Sequence, residues 1–123
     1  MAQENVLMTK VYQDFNNRKI REVLSTMQPD VQWPNGWEGG YVYGHDEVAK
    51  YWTRQWKEID PRVEPLHFTL LDNGQLEVEV HQVVRDLKGA VLSDGMVKHI
   101  YTFTNGLIAK MEIRPAGNPT APL

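Results

Sequence analysis

The sequence predicts a single α+β domain, with helices in its first half packed on one face of a curved, mostly antiparallel sheet. Three observations carry that reading. Apolar residues recur at helical spacing as far as Ile59. They alternate at period two from Val63 onward. Two Asn-Gly pairs, Asn73-Gly74 and Asn105-Gly106, punctuate the second half as hairpin turns.

Each element follows in order. Val6 or Leu7, Val11, Tyr12 and Phe15 form one stripe of a first helix, Glu4 to Phe15. Asn16-Asn17 breaks it. A second helix, Arg18 to Met27, gathers Ile20, Val23, Leu24 and Met27 on one face, and Pro29-Asp30 ends it. Val31 to Trp33 is a short strand. Pro34-Asn35-Gly36 turns the chain, and Tyr41 to Tyr43 returns as a hairpin partner. Asp46 then stands at the start of a third helix, where a carboxylate suits the free N–H groups and the helix dipole. This helix runs to about Glu58 and presents Val48, Tyr51, Trp52, Gln55 and Ile59 along one side.

A strand meander completes the chain. Val63 to Leu71 is followed by Gln75 to about Arg85, with Leu76, Val78 and Val80 on one face and Glu77, Glu79 and His81 on the other. Lys88-Gly89 reverses the chain into Met96 to Thr104, and Leu107 to Ile113 closes the sheet. On the last two strands the odd-numbered His99, Tyr101, Phe103, Met111 and Ile113 share the inward face. The even-numbered Lys98, Ile100, Thr102, Ile108, Lys110 and Glu112 share the outward one. Residues 1–114 form the domain. The remainder, 115–123, has three prolines and reads as a flexible tail.

Composition narrows the function classes. The 123 residues provide for one core. There is no cysteine, which excludes disulfides, thiol nucleophiles and Cys-based metal sites. The net charge of -3 and the lack of a basic stripe argue against nucleic acid. No apolar run approaches the roughly 20 residues of a membrane helix. The N-terminus lacks the basic-then-apolar layout of a signal peptide, so a cytoplasmic protein is expected. Four Trp and five Tyr supply rings for a core or a pocket.

Several segments together resemble the SnoaL-like branch of the NTF2-like superfamily, which includes ketosteroid isomerase. They are Phe15-Asn16, the run from Met27 to Trp33, Tyr43-Gly44-His45-Asp46 ahead of Tyr51-Trp52, and the closing run from Val97 to Ile108. The resemblance spans about Val6 to Arg114. It implies a cone of three N-terminal helices on a curved sheet, enclosing a pocket. Superfamily members include isomerases, polyketide cyclases, epoxide hydrolases, dehydratases and non-catalytic association domains, so the fold alone assigns no activity.

Matching the isomerase pattern places Trp33 where its carboxylate base belongs and His99 where its oxyanion-hole Asp belongs. Val11 takes the place of its Tyr, with Tyr12 one position away. Indole cannot accept a proton from carbon, so that reaction is not expected. Polyketide cyclases of this kind have a His at the His99 position and an acid on the last strand, where this chain has Ile113. The epoxide-hydrolase set has no counterpart beyond Arg85-Asp86 at a turn.

The expected site therefore has His99 as its one catalytic or polar-recognition residue. Tyr12, Trp33, Tyr43, Tyr51, Trp52, Tyr101, Met111 and Ile113 are the expected liners, and Trp37, among Gly36, Gly39 and Gly40, is open as a lid. Glu77, Glu79 and His81 share a strand face, but that face is the outer one, and neither metal nor cofactor is expected. Two readings remain. In one, the pocket binds a small, mostly apolar molecule, cyclic or polyketide-like, with isomerase or cyclase-type chemistry. In the other, the cone is filled by its own side chains and the domain is structural or partner-binding. A homodimer through the outer sheet face is expected in either case.

Overall fold

The computed structural model describes residues 2–116. The elements are α1 (Ala2–Asn16), α2 (Ile20–Leu24), β1 (Met27–Pro34), β2 (Tyr41–Tyr43), α3 (Gly44–Trp56), β3 (Ile59–Leu70), β4 (Leu76–Asp86), β5 (Val91–Thr104) and β6 (Leu107–Pro115). One curved six-stranded sheet runs in the order β2-β1-β6-β5-β4-β3. All neighbours are antiparallel except β1 and β6, which pair parallel. The α+β class and the mostly antiparallel sheet agree with the sequence reading.

Two departures concern the helices and the strand that follows them. The second helix is five residues long and stops at Leu24. Ser25 and Thr26 turn their hydroxyls back onto the Glu22 and Val23 carbonyls, at 2.6 Å each. The Thr26 carbonyl then accepts the Ile108 N–H at 2.8 Å. Met27, expected on the helix, is thereby drawn into β1, opposite Ile108. This long-range pairing overrides the local helical spacing of Met27.

Two of the three turns in the meander are three residues long, including the one at Asn73-Gly74. Leu71 pairs with Gln75 through the Gln75 carbonyl at 2.8 Å, and Gly74 takes a positive φ of 89°. Asp86 and Ala90 repeat this around Gly89. Both are three-residue turns with glycine in the left-handed position. Asn105-Gly106 does form the expected two-residue turn, with φ of 52° and 80°. At the C-terminal end, Pro115 belongs to β6. Residues 117–123 of the expected tail lie outside the described residues.

A bulge alters the parity of β6. Thr102 pairs with Lys110, but Phe103 pairs with Ile108, so Ala109 is an extra residue. Ile108, expected on the outer face, is fully buried in the core together with Met111. The outer face keeps Lys98, Ile100, Thr102, Lys110 and Glu112. Lys98 pairs with Glu77 at 3.6 Å, Arg114 with Glu112 at 3.0 Å, and Gln75 donates to the Thr102 hydroxyl at 2.9 Å.

The core lies between the helices and the concave sheet face. Met8, Val11 and Tyr12 of α1 and Val48, Tyr51 and Trp52 of α3 meet Val78, Val80, Tyr101 and Met111. Asn16, the residue that ends α1, docks that helix on the edge strand. Its amide donates to the Val63 carbonyl at 2.7 Å and accepts the Val63 N–H at 3.0 Å. A side-chain amide thus stands in for a neighbouring strand at an edge that has none. Arg18, at a left-handed φ of 61°, follows it. Its guanidinium lies 4.6 Å over the Trp56 ring, donates to the Pro61 carbonyl at 2.9 Å and pairs with Asp60. Replacing Asn16 by Ala should lower unfolding free energy in urea by about 2 kcal/mol, since both backbone groups of Val63 lose their partner. An unchanged midpoint would show that the clamp contributes nothing.

Candidate functional site

A cavity of about 80 Å³ lies between α1, α3 and the sheet. Val11, Tyr12 and Phe15 come from α1, and Tyr51, Trp52 and Gln55 from α3. Trp33, Pro61, Val63, Gln82, His99, Tyr101 and Met111 come from the strands, and Val23 from α2. Among the described residues none that lines it is charged. Aromatic rings fill most of the cone. Trp33 meets Trp52 edge-on at 5.5 Å, and Trp52 meets Phe15 at 5.3 Å and Trp56 at 5.9 Å. These contacts leave far less than the roughly 300–1,000 Å³ of sites that enclose drug-sized ligands.

The polar centre is a chain of three side chains. The Tyr12 hydroxyl lies 2.7 Å from His99 Nδ1 and 2.8 Å from the Tyr101 hydroxyl. Residues His99 and Tyr101 are two apart on β5, so they share its inward face. Tyr12 reaches them from α1. Burial drives all three toward their neutral forms. It pushes the His99 imidazolium down to about 4. It raises the Tyr12 hydroxyl well above the ordinary phenol range, helped by the adjacent Tyr101, and it raises Tyr101 as well, against the bond from Tyr12. His99 Nε2 has no protein partner among the described residues, and His99 lines the cavity. The site offers a neutral imidazole and two neutral phenols in an uncharged, aromatic setting.

A second polar group, Tyr51 with Gln55, lines the same cavity. Tyr51 is raised by burial, while the Trp37 and Gly36 amides and Gln55 pull it the other way. The Gln55 amide donates to the Tyr51 hydroxyl at 3.2 Å. The loop carrying Trp37 is tied down. The Asn35 side-chain oxygen accepts the Trp37 and Glu38 N–H groups at 3.1 and 2.7 Å, and Arg54 of α3 pairs with Glu38 at 2.6 Å. Trp37 itself is partly exposed and is not among the cavity residues.

The structure brings together His99, Tyr12, Trp33, Tyr51, Trp52, Tyr101 and Met111. Two expected liners stand elsewhere. Tyr43 is 55% exposed and borders a separate surface groove with Gln28, Asp30 and Gln32. Its position as the residue before α3 turns its ring away from the cone. Ile113 pairs with His99 across the strands but is 42% exposed, and a Cβ on Gly36 would stand 3.2 Å from its Cδ1. It packs at the loop rather than in the cavity. Gln82 and Gln55 were not expected as liners. Gln82 could have been found, because it continues the inward series Leu76, Val78, Val80 as its first polar member.

The SnoaL-like domain family matches residues 8–111. The chain belongs to the SnoaL-like domain family. Solved structures agree with this fold. TerC, co-crystallised with polyporic acid, is 25% identical, with a TM-score of 0.75 over 87% of this chain and 86% of that one. An NTF2-like protein of unknown function from Burkholderia pseudomallei is 24% identical, with a TM-score of 0.79 over 93% and 91%. A Mycobacterium tuberculosis protein in complex with estradiol-17beta-hemisuccinate is 14% identical, with a TM-score of 0.75 over 88% and 89%. No curated protein matches the chain at a significant level. Within this SnoaL-like domain, Trp33 lines the cavity, and among the described residues no carboxylate does.

The buried imidazole makes stability depend on pH. His99 faces Tyr12 from α1 and Tyr101 on its own strand, while its partners across β4 and β6 are Val78 and Ile113. Among the described residues no charged group faces it to compensate its protonation. Its folded value lies below the unfolded 6.5, so the unfolded chain binds the extra proton first. The contribution of neutral His99 is complete above pH 6.5 and is lost as pH falls from 6.5 through about 4. The loss should reach about 3 kcal/mol. Urea unfolding at pH 7 and pH 4.5 should show it, and His99→Gln should flatten that part of the profile. An equally steep profile in the variant would assign the dependence to other groups.

Proposed function

We propose that this SnoaL-like protein binds a small, neutral, mostly apolar ring compound, cyclic or polyketide-like, with His99 as its polar anchor. One observation carries the reading: a hydrogen-bonded imidazole and two phenols line a cavity that, among the described residues, no charged side chain lines. A carboxylate or ammonium ligand there would be buried without a counter-ion, at a cost of several kcal/mol. A carbonyl or hydroxyl on an apolar ring satisfies His99 Nε2 at no such cost. The complexes of TerC with polyporic acid and of the mycobacterial protein with estradiol-17beta-hemisuccinate support small-molecule binding in this fold.

The small cavity sets the ligand's size. A single ring fits with little rearrangement. A larger ligand extends toward the adjoining groove of about 570 Å³ between α1 and β3, which shares Tyr12 and Val63 with the cavity. The same small volume favours the second reading, in which the cone is filled by its own side chains. A thermal-shift titration with phenol separates the two. Under the binding reading the melting temperature rises with the logarithm of phenol concentration, and His99→Gln weakens the effect about tenfold while its own melting temperature holds. No shift at millimolar phenol favours the filled cone. Unchanged binding in a destabilised His99→Gln makes His99 structural.

A homodimer through the outer sheet face belongs to the same reading. On that face Lys98, Lys110 and Arg114 balance Glu77, Glu79 and Glu112, so two copies meet without like-charge repulsion. Light scattering at tens of micromolar should give twice the chain mass. A monomer mass removes the dimer.

A further inference from the structure

The groove of about 570 Å³ between α1 and the β3–β4 pair is charged where the cavity is not. Two arginines, Arg62 and Arg85, line it together with Gln13, Pro65 and Val83. The strand register brings the arginines together. Arg62 stands opposite Val83, and Asp60 stands opposite Arg85. Residues directly opposite across an antiparallel pair share a face, and so do residues two apart on one strand. Arg62, Val83 and Arg85 are therefore on one face. The two arginines occupy diagonal positions about 7–8 Å apart at the backbone, within reach of one another for long side chains. Val63, next to Arg62, is buried in the core on the other face. A group held by the arginines therefore lies outside the cavity.

The acids nearest to these two cations are engaged elsewhere. Asp60 pairs with Arg18. Asp94 pairs with His81 at 2.6 Å. Asp86 accepts the Lys88 and Ala90 N–H groups at 2.9 Å each, inside its own turn. Glu64 is the one carboxylate among the groove residues, and it lies opposite His81. Among the described residues neither Arg62 nor Arg85 forms an ion pair. Arg62 also acts on Arg18. Burial lowers the Arg18 guanidinium from its usual range, Asp60 opposes this, and the charge of Arg62 adds to the lowering. A positive corner thus stands on a chain whose net charge is -3.

We propose that Arg62 and Arg85 hold the phosphate group of a small organic phosphate ester. Each guanidinium is a planar fork of donors, and two forks from separate strands exceed what the two oxygens of a carboxylate can accept. The terminal oxygens and double charge of a phosphate monoester match them. Val83 and Pro65, both half-buried, give the organic part an apolar surface beside the arginines. Two cations are too few for nucleic acid, where affinity grows with the number of phosphates neutralised. The site stands whether or not the cavity binds a ligand.

The test is calorimetric titration of the whole chain at low salt and pH 8, where a phosphate monoester is a dianion. Phenyl phosphate should bind at one site, about fivefold tighter than inorganic phosphate, because its ring covers Val83 and Pro65. Half-molar sodium chloride should remove most of that binding. Arg62→Gln and Arg85→Gln should each weaken it about tenfold. Lys50→Gln, on α3 and not among the groove residues, removes the same charge from the chain and should change affinity less than about twofold. No saturation by millimolar phenyl phosphate overturns the site. Full affinity in both arginine variants overturns it too, because the ester then binds elsewhere. Equal weakening by Lys50→Gln reduces the effect to net charge and overturns it as well. Inorganic phosphate as tight as phenyl phosphate overturns the ester. Neither arginine is in the core, so both variants should melt cooperatively near the wild-type temperature. If one does not, the other is held to the same outcomes.

Discussion

The Tyr12 hydroxyl is the constraint on which the rest of the structure depends. It is fully buried, it belongs to the first helix, and it is bonded to two side chains of the fifth strand. A hydroxyl in an apolar interior without partners costs several kcal/mol, so helix and sheet must approach until these bonds are made. That approach sets the depth of the cone. It also explains why the space left above the network is small. Trp33, Trp52 and Phe15 pack edge to face around it, and the cavity is what remains.

The elements around this contact hold α1 and α3 in place at their ends. Asn16 fastens α1 to β3 through both backbone groups of Val63. Arg18 stacks on Trp56 and pairs with Asp60, joining the helical turn to α3 and the start of β3. On the other side, the Asn35 loop is fastened to α3 by Arg54 and Glu38, where the Asn35 amide and then Arg54 hold the Glu38 carboxyl below its usual range. The elements that bound the cavity are thus tied to one another at their ends.

Much of the site was legible in the residues. The period-two pattern placed His99 and Tyr101 on one face, the helical stripe placed Tyr12 inside, and the aromatic residues of α3 pointed to the cone. The two liners that landed elsewhere show where such reasoning ends. Tyr43 has the right composition and strand, but a three-residue strand next to a helix start has no inward neighbour to define its face. Ile113 has the right parity, yet the sheet extends past the helices there, and the inward face is no longer covered.

The amino-acid sequence by itself determined the class of fold, the order of its elements, the supply of aromatic side chains and the absence of any thiol. These follow from local periodicity, turn chemistry and residue identity, which need no knowledge of partners. Only the tertiary structure decided the rest. Pairing with β6 took Met27 from a helix into a strand, and the Ala109 bulge moved Ile108 from the surface to the core. It also decided that Tyr12, 87 residues from His99, supplies that imidazole's partner. Each of these depends on a contact between distant segments, where a shift of one residue exchanges inside for outside, and no local pattern records that shift.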